Sequence, residues 1–73
     1  AGRTIRVHTE KTWAKDFALY VFRGGEAVLK YPYQSTPHFD VELPGAGTYQ
    51  FRIFHRDGDV RRAISSAPVN IAH

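Results

Sequence analysis

Residues 38–54 read HFDVELPGAGTYQFRIF. Apolar and polar residues alternate on both sides of the Pro-Gly-Ala-Gly turn at residues 44–47. A period of two is typical of a half-buried β-strand, because successive side chains point to opposite faces of a sheet. We therefore predict strands at His38–Leu43 and Thr48–Arg56. Their inward-facing residues are Phe39, Val41, Leu43, Tyr49, Phe51 and Ile53.

The same alternation continues on both sides of this stretch. Gly24-Gly25 supplies two residues free to adopt positive φ, as a tight two-residue hairpin requires. That hairpin pairs Tyr20 with Leu29, and the two prolines that bracket residues 32–37 predict a loop there. The other predicted strands are Thr4–His8, Phe17–Arg23, Glu26–Tyr31 and Val60–Ser65. The fold class is all-β, a small antiparallel β-sandwich of about six strands.

The apolar positions change parity near the end of the chain. Ile64 is even-numbered, whereas Val69 and Ile71 are odd-numbered and follow Pro68. Keeping all three in the core requires a bulge or an edge crossing near Ser66.

Composition points to one folded domain with no disulfides. Of the 73 residues, 42% are hydrophobic and 14% aromatic, and none is cysteine. No apolar run approaches the ~20 residues that span a bilayer, and no leader is evident. Because the chain opens on Ala1 rather than Met, we interpret residues 1–73 as a single domain excised from a larger protein. The sequence is compatible with the cytoplasm, the periplasm or the extracellular space.

The pattern PGAGTYQF, residues 44–51, resembles immunoglobulin-like and fibronectin-III-like domains. In those folds a tyrosine after a turn begins the penultimate strand and bonds to backbone a few residues upstream, the place that Tyr49 would take. Phe51 occupies the position of the cysteine in antibody domains. The sequence is also similar to short immunoglobulin-like accessory domains of bacterial sensors and surface-polysaccharide proteins. The resemblance implies strands B, C, C′, E, F and G, with one strand missing, and a non-catalytic accessory module.

The outward sheet face carries an unusual number of aromatic residues. If Phe17, Leu19 and Val21 point inward, then Ala18, Tyr20 and Phe22 point outward. An exposed apolar patch normally marks a partner site. We predict that this face binds protein, either a neighbouring domain or a second copy, unless the parity is reversed and these rings are core. The predicted binding residues are Tyr20, Phe22, Leu29, Tyr31, Phe54, Arg52 and Arg56.

Carbohydrate binding is the alternative function. Trp13, Tyr31 and Tyr33 lie in or beside predicted loops, where aromatic rings can stack on sugars. The structural interpretation of Trp13 is that its ring caps one end of the core, and we favour it for this residue.

Nucleic-acid binding ranks third. The net charge is +3 and seven arginines interleave with aromatic residues, as in small barrels that bind single strands. Acidic residues interrupt this positive field, and a solvated basic face explains it better. The arginines are Arg3, Arg6, Arg23, Arg52, Arg56, Arg61 and Arg62.

Neither a catalytic site nor a metal site is indicated. No serine lies in a nucleophile elbow, and no glycine-rich phosphate loop precedes a helix. The four histidines are too scattered for ligand spacing, so we expect no metal, no cofactor and no enzymatic activity. They are His8, His38, His55 and His73.

Overall fold

The computed structural model describes residues 3–10 and 13–72, and within these ranges it contains seven strands. The strands are β1 (Arg3–His8), β2 (Asp16–Arg23), β3 (Glu26–Gln34), β4 (His38–Leu43), β5 (Gly47–Asp57), β6 (Val60–Ser65) and β7 (Val69–Ile71). All pairings are antiparallel. The predicted all-β class is therefore confirmed. The predicted number of strands was one too low, because residues 69–71 form a strand of their own.

The smaller sheet consists of β1 and β4. Arg3 pairs with Leu43 and His8 pairs with His38, with no irregularity between them. Every second residue of β4 is buried, as predicted from its alternation. On the opposite face the Arg6 guanidinium donates to the Asp40 carboxylate, and Nε lies 2.9 Å from Oδ1. The pairing is regular because one face of this sheet is apolar and the other is charged.

The pKa of Asp40 is expected to lie below its ordinary value of 3.8, chiefly because Arg6 donates a hydrogen bond to the carboxylate. A lowered folded-state pKa means that the ion pair contributes to stability above the unfolded-state value and is lost as the pH falls through the folded-state pKa. A carbon-13 titration of the Asp40 carboxyl group should show this lowered midpoint. The Arg6→Gln variant should move it back toward 3.8, and an unchanged midpoint would contradict the assignment.

The larger sheet has the order β3-β2-β5-β6, with β7 also paired to β5. β5 is therefore bonded to three strands, β2 on one side and β6 and β7 on the other. The β2–β3 hairpin turns at Gly24 and Gly25, whose φ values are 62° and 83°. Residues with a Cβ rarely adopt these values. Arg23 lies opposite Glu26 beside this turn, as the sequence predicted.

One core lies between the two sheets. β4 contributes Phe39, Val41 and Leu43, which pack against alternate residues of β2 and β5. The other members of the buried cluster are Phe17, Leu19, Val21, Tyr49 and Phe51. The five positions in β4 and β5 were predicted to face inward from their alternation, and this prediction is confirmed. For Phe17, Leu19 and Val21 of β2 the preferred of two parities is the one observed.

Tyr49 is fully buried, yet its hydroxyl is hydrogen-bonded. The hydroxyl donates to the Gly45 carbonyl at 2.8 Å and accepts from Arg23 Nη1 at 3.2 Å. Gly45 lies four residues upstream, in the turn that precedes β5. The hydrogen bond from the Tyr49 hydroxyl to Gly45 therefore connects that turn to the core. It is the bond to upstream backbone that the sequence resemblance implied for Tyr49.

β3 differs from its prediction in length and register. The strand continues through Pro32 to Gln34, where the sequence predicted a loop. Pro32 is tolerated because β3 is an edge strand and one side of it needs no N–H donor. Register shifts occur opposite Val21/Phe22 and opposite Phe17/Leu19, where β3 carries an extra residue each time. Tyr20 therefore pairs with Lys30, not with Leu29 as predicted.

The regular strand structure is interrupted between β6 and β7, at the point where the parity of the apolar residues changes. The Ser66 amide donates to the Phe51 carbonyl at 2.7 Å, and the Ser66 Oγ accepts from the Phe51 amide at 3.0 Å. The predicted irregularity is confirmed, but the prediction that Ile64, Val69 and Ile71 all enter the core was wrong. Ile71 packs against the core, whereas Ile64 and Val69 remain 45% and 39% exposed.

Within the described part of the chain, no helix has the length and hydropathy that crossing a bilayer requires.

Candidate functional site

The outer face of the larger sheet carries a group of aromatic rings. Tyr20 and Phe22 from β2 and Phe54 from β5 point away from the core, because their neighbours along each strand point into it. The Tyr20 and Phe54 ring centroids lie 5.0 Å apart at an interplanar angle of 59°, and the Tyr20 and Phe22 centroids lie 6.4 Å apart. We call these three residues the outer aromatic cluster. Each ring is half-buried.

Ala18 shows how the cluster covers the sheet. It lies on the outer face opposite Phe54, yet it is only 3% exposed. A methyl group on a solvated sheet face is ordinarily accessible, so larger side chains must cover it. The outer aromatic cluster thus forms a small apolar layer on the face that an antiparallel sheet usually leaves polar.

Two cations flank the outer aromatic cluster. Lys30 Nζ lies 5.5 Å from the Tyr20 ring centroid, and Arg52 Cζ lies 6.0 Å from the Phe22 ring centroid. At these distances the ring faces attract the positive charges weakly. The aliphatic stems of both side chains extend the apolar surface while their charged ends remain in water. Arg52 also donates from Nε to the Ser65 hydroxyl at 2.9 Å, which fixes its direction.

Tyr33, Arg56 and Asp16 form a stack beside the cluster. The Arg56 guanidinium carbon lies 3.9 Å from the Tyr33 ring centroid, and its Nη2 lies 3.0 Å from Asp16 Oδ2. Asp16 and Arg56 are cross-strand neighbours on β2 and β5, so the backbone places this ion pair directly. The Tyr33 ring is held in position although it is 37% exposed.

A groove of about 470 Å³ lies between the stack and the cluster. Its walls come from β3 on one side and from β2 and β5 on the other. The lining residues are Ala18, Tyr20, Lys30, Tyr31, Pro32, Tyr33 and Phe54. This groove is open and mostly apolar, with one ammonium group at its rim.

Two of the predicted binding residues belong to the other face. Leu29 pairs with Val21 and packs against the core, and the Tyr31 ring lies 5.9 Å from that of Phe39. The prediction that both lie on the outer face was wrong, because the extra residue at Val28 reverses the parity of β3. Tyr31 still contributes to the edge of the outer groove. The other five predicted residues lie on the outer face, although their binding role remains a prediction.

The three aromatic residues of the alternative sugar site do not come together. Tyr31 and Tyr33 border the outer groove, but the Trp13 ring lies 6.0 Å from that of His55, which points into the core. Trp13 therefore lies on the inner side of the larger sheet and is 39% exposed there. The grouping was wrong because Trp13 lies beside Val60 and Ile64 of β6, whereas Tyr31 and Tyr33 belong to β3.

The arginines do not form one basic stripe. Arg6 lies on the smaller sheet, Arg23 beside Tyr49 at the end of β2, and Arg52 on the outer face of the larger sheet. Arg6 and Arg56 are each paired with an aspartate. Among residues 3–10 and 13–72, no group of three or more potential ligands is arranged to hold a metal ion. His73 lies outside the described residues.

Lys30 is an outer-face residue that the sequence did not identify. Ala18 was predicted to point outward from the parity of β2, and its pairing with Phe54 agrees with that prediction. The pairing of Lys30 with Tyr20 follows from the β3 irregularity, which the apolar pair Val28-Leu29 conceals. Comparisons of the chain with protein-family models, with curated proteins and with solved structures give no match.

Proposed function

We propose that this domain is a non-catalytic interaction module that binds protein through the outer face of its larger sheet. The observation that carries the proposal is the outer aromatic cluster, whose three rings lie side by side on a face that should be polar. Aromatic residues with arginine beside them are enriched at the centres of protein interfaces. The second copy of the chain, or a neighbouring domain, supplies the opposing surface.

The strand arrangement supports an immunoglobulin-like type for this module. β1 and β4 take the places of strands B and E, and β3, β2, β5 and β6 take those of C′, C, F and G. The Tyr49 hydroxyl bond to Gly45 is the contact of a tyrosine corner. Modules of this architecture commonly bind through a sheet face or through end loops, and here the sheet face carries the aromatic rings.

Carbohydrate binding at the outer groove is the second candidate. The observation in its favour is the Tyr33 ring, which is exposed and held flat against Arg56 next to the groove. An aromatic ring stacks on a sugar, and Arg56 and Asp16 offer hydrogen bonds close by. The site differs from the predicted one, since it uses Tyr33 and Tyr20 and not Trp13.

The test follows backbone-amide NMR spectra of the labelled domain on dilution from about 1 mM, then with oligosaccharides, then with oligonucleotides at low salt. Shifts on dilution that are confined to Tyr20, Phe22 and Phe54 support the proposal. The Tyr20→Lys variant should abolish them while its thermal unfolding stays cooperative. The matched control Thr4→Lys places the same charge on the exposed face of β1 and should keep them.

Three results count against a protein-binding outer face. Amide shift changes that appear only when oligosaccharide is added, around Tyr33, would favour carbohydrate binding. Shifts only with oligonucleotide that fade steeply with salt would favour nucleic acid. If Tyr20→Lys unfolds the domain, the milder Tyr20→Thr variant replaces it, and dilution shifts that persist in the folded variant would exclude this face.

A further inference from the structure

The inner face of β6 is not covered by the smaller sheet. Val60 and Ile64 are 49% and 45% exposed, and the other residues of the strand are exposed as well. Ile64 pairs with Ile53, which packs against the core, so Ile64 points to the same side of the larger sheet. Among the described residues, the buried cluster joins β4 to β2 and β5, and it includes no residue of β6. An apolar strip of the larger sheet thus has no layer above it.

β1 borders this uncovered strip with an unpaired edge. Among the described strands it hydrogen-bonds to β4 alone, so its other side presents backbone N–H and C=O groups without a strand partner. Its inward residues Ile5 and Val7 are only half-buried. An exposed edge of this kind is a template on which an extended chain can pair.

The edge of β1 and the face of β6 together form a trough. A depression of about 230 Å³ lies between Val7 and Ile64, and a second of about 420 Å³ lies between Trp13 and Val60. The two depressions share the lining residues His55 and Ile64 and therefore adjoin each other. We call this feature the β6 trough. It has the backbone edge on one side and apolar side chains on its floor, which are the two surfaces that a β-strand needs.

We propose that the β6 trough binds an extended peptide segment of a partner protein, which adds a third strand to the smaller sheet beside β1. In this binding mode, main-chain hydrogen bonds to the edge give affinity and alternate side chains fill the pockets below. The residues at every second position of the peptide are apolar and contact Ile64 and Val60. This surface is separate from the outer face, and its failure would leave the proposed function untouched.

Charge indicates an acidic peptide. Among the described residues that line the β6 trough, Arg62 is the one permanently charged group, and no carboxylate is present. Arg62 pairs with His55 and so lies on the inner side of β6, facing the trough. A glutamate near one end of the peptide would meet this guanidinium in a partly desolvated position.

The open length of the trough limits the peptide. At one end Arg3 Nη1 donates to the Ala72 carbonyl at 2.9 Å and bridges β1 to the residue after β7. The β1 edge is therefore open from Thr4 to His8, and the trough continues past Ile64 toward Val60. Thr4 to Val7 and Ile64 to Val60 together span about 23 Å at ~3.3 Å per residue, so about eight residues of an extended chain fit.

A second folded copy does not fit the trough through its own β1. In each copy β1 lies over β5, so a β1 entering the vacant position would bring its own larger sheet into the space that β6 occupies. An isolated strand brings no such layer. The occupant is therefore an extended segment and not the edge of another folded domain.

The experiment uses capped eight-residue peptides with valine at alternate positions, threonine between them, and glutamate at either the first or the last position. Binding is followed by the fluorescence of Trp13, the single tryptophan, and by amide shifts in β1. We expect saturable binding of one of the two peptides. Methylation of its alternate backbone nitrogens should abolish binding, because those groups pair with the β1 edge.

Two matched variants assign the site. Ile64→Thr should weaken the peptide about tenfold, the loss expected for removing one buried aliphatic contact. Ala27→Thr introduces the same residue at an exposed position of β3, on the outer face and outside the trough, and should leave the affinity unchanged. Both positions are accessible, so both variants are expected to fold.

Four outcomes would overturn the proposal. They are no binding of either peptide at millimolar concentration, equal binding of the methylated peptide, shifts centred on the outer aromatic cluster, and equal effects of Ile64→Thr and Ala27→Thr. Self-association that Ile64→Thr abolishes would assign the trough to a second copy and would likewise contradict a separate peptide.

Discussion

Truncating Leu19 to alanine is expected to lower the free energy of unfolding by about 2–5 kcal/mol, the range for deleting a large aliphatic group from a core. Leu19 has no exposed surface and lies between Tyr31 of β3 and Ile53 of β5. Its cross-strand neighbours are held by strand pairing and its cluster includes residues of β4 in the opposite sheet, so the cavity cannot collapse easily. Small domains are stable by about 5 kcal/mol or little more. A substantial unfolded fraction should therefore be present at 25 °C.

Urea denaturation followed by circular dichroism measures this loss. Ile64→Ala is the matched control, because it removes a comparable aliphatic group from a position that is 45% exposed. Its cost should be well below that of Leu19→Ala. Equal losses for the two variants would mean that β6 is covered in solution, contrary to the structure.

Replacing Tyr49 with phenylalanine is expected to cost about 1–3 kcal/mol, although it removes one oxygen atom. The ring remains in its fully buried place, so the apolar contribution is unchanged. What is lost is the hydroxyl that donates to the Gly45 carbonyl and accepts from Arg23. The Gly45 carbonyl is left without this donor, and the turn before β5 loses its tie to the core.

Thermal unfolding of Tyr49→Phe beside Tyr33→Phe tests this assignment. Tyr33 is an exposed tyrosine whose ring is positioned by Arg56, and loss of its hydroxyl should change stability little. If the two variants unfold at the same temperature, the Tyr49 hydroxyl bond does not stabilise the domain and the tyrosine-corner interpretation fails.

The parts of the fold that follow from strict alternation were predictable from the sequence. β4 and β5 alternate without interruption, so their inward and outward residues were identified correctly. For β2, the preferred of the two possible parities is the one observed. In a regular strand, the face on which a residue lies is set by whether its position is odd or even along the strand, so it can be assigned from neighbouring residues alone. The outer aromatic cluster follows directly from the parity of β2 and β5.

The irregular strand β3 was not predictable in the same way. Val28 and Leu29 are both apolar, so either can face the core, and nothing local indicates which one the extra residue displaces. Pairing with β2, a long-range contact, decides the register. For the same reason Leu29 and Tyr31 were assigned to the wrong face, and Lys30 was missed.

The β6 trough could not be predicted from the sequence either. The alternation of β6 indicates an apolar side at Ile64, but whether another strand covers that side depends on how many strands the opposite sheet has. The uncovered strip therefore appears only when both sheets are in place. The position of Trp13 depends on the same relation, since its ring lies at the end of that strip.

The three-strand pairing of β5 determines when this domain can fold as it leaves the ribosome. Before residues 47–57 emerge, the nascent chain can form the β2–β3 hairpin and the β1–β4 pair, but no strand joins β2 to the rest of the larger sheet. A two-stranded ribbon is at best marginally stable in water. Folding should therefore begin only after β5 is available, and nascent chains that end before Gly47 should remain sensitive to protease along their whole length.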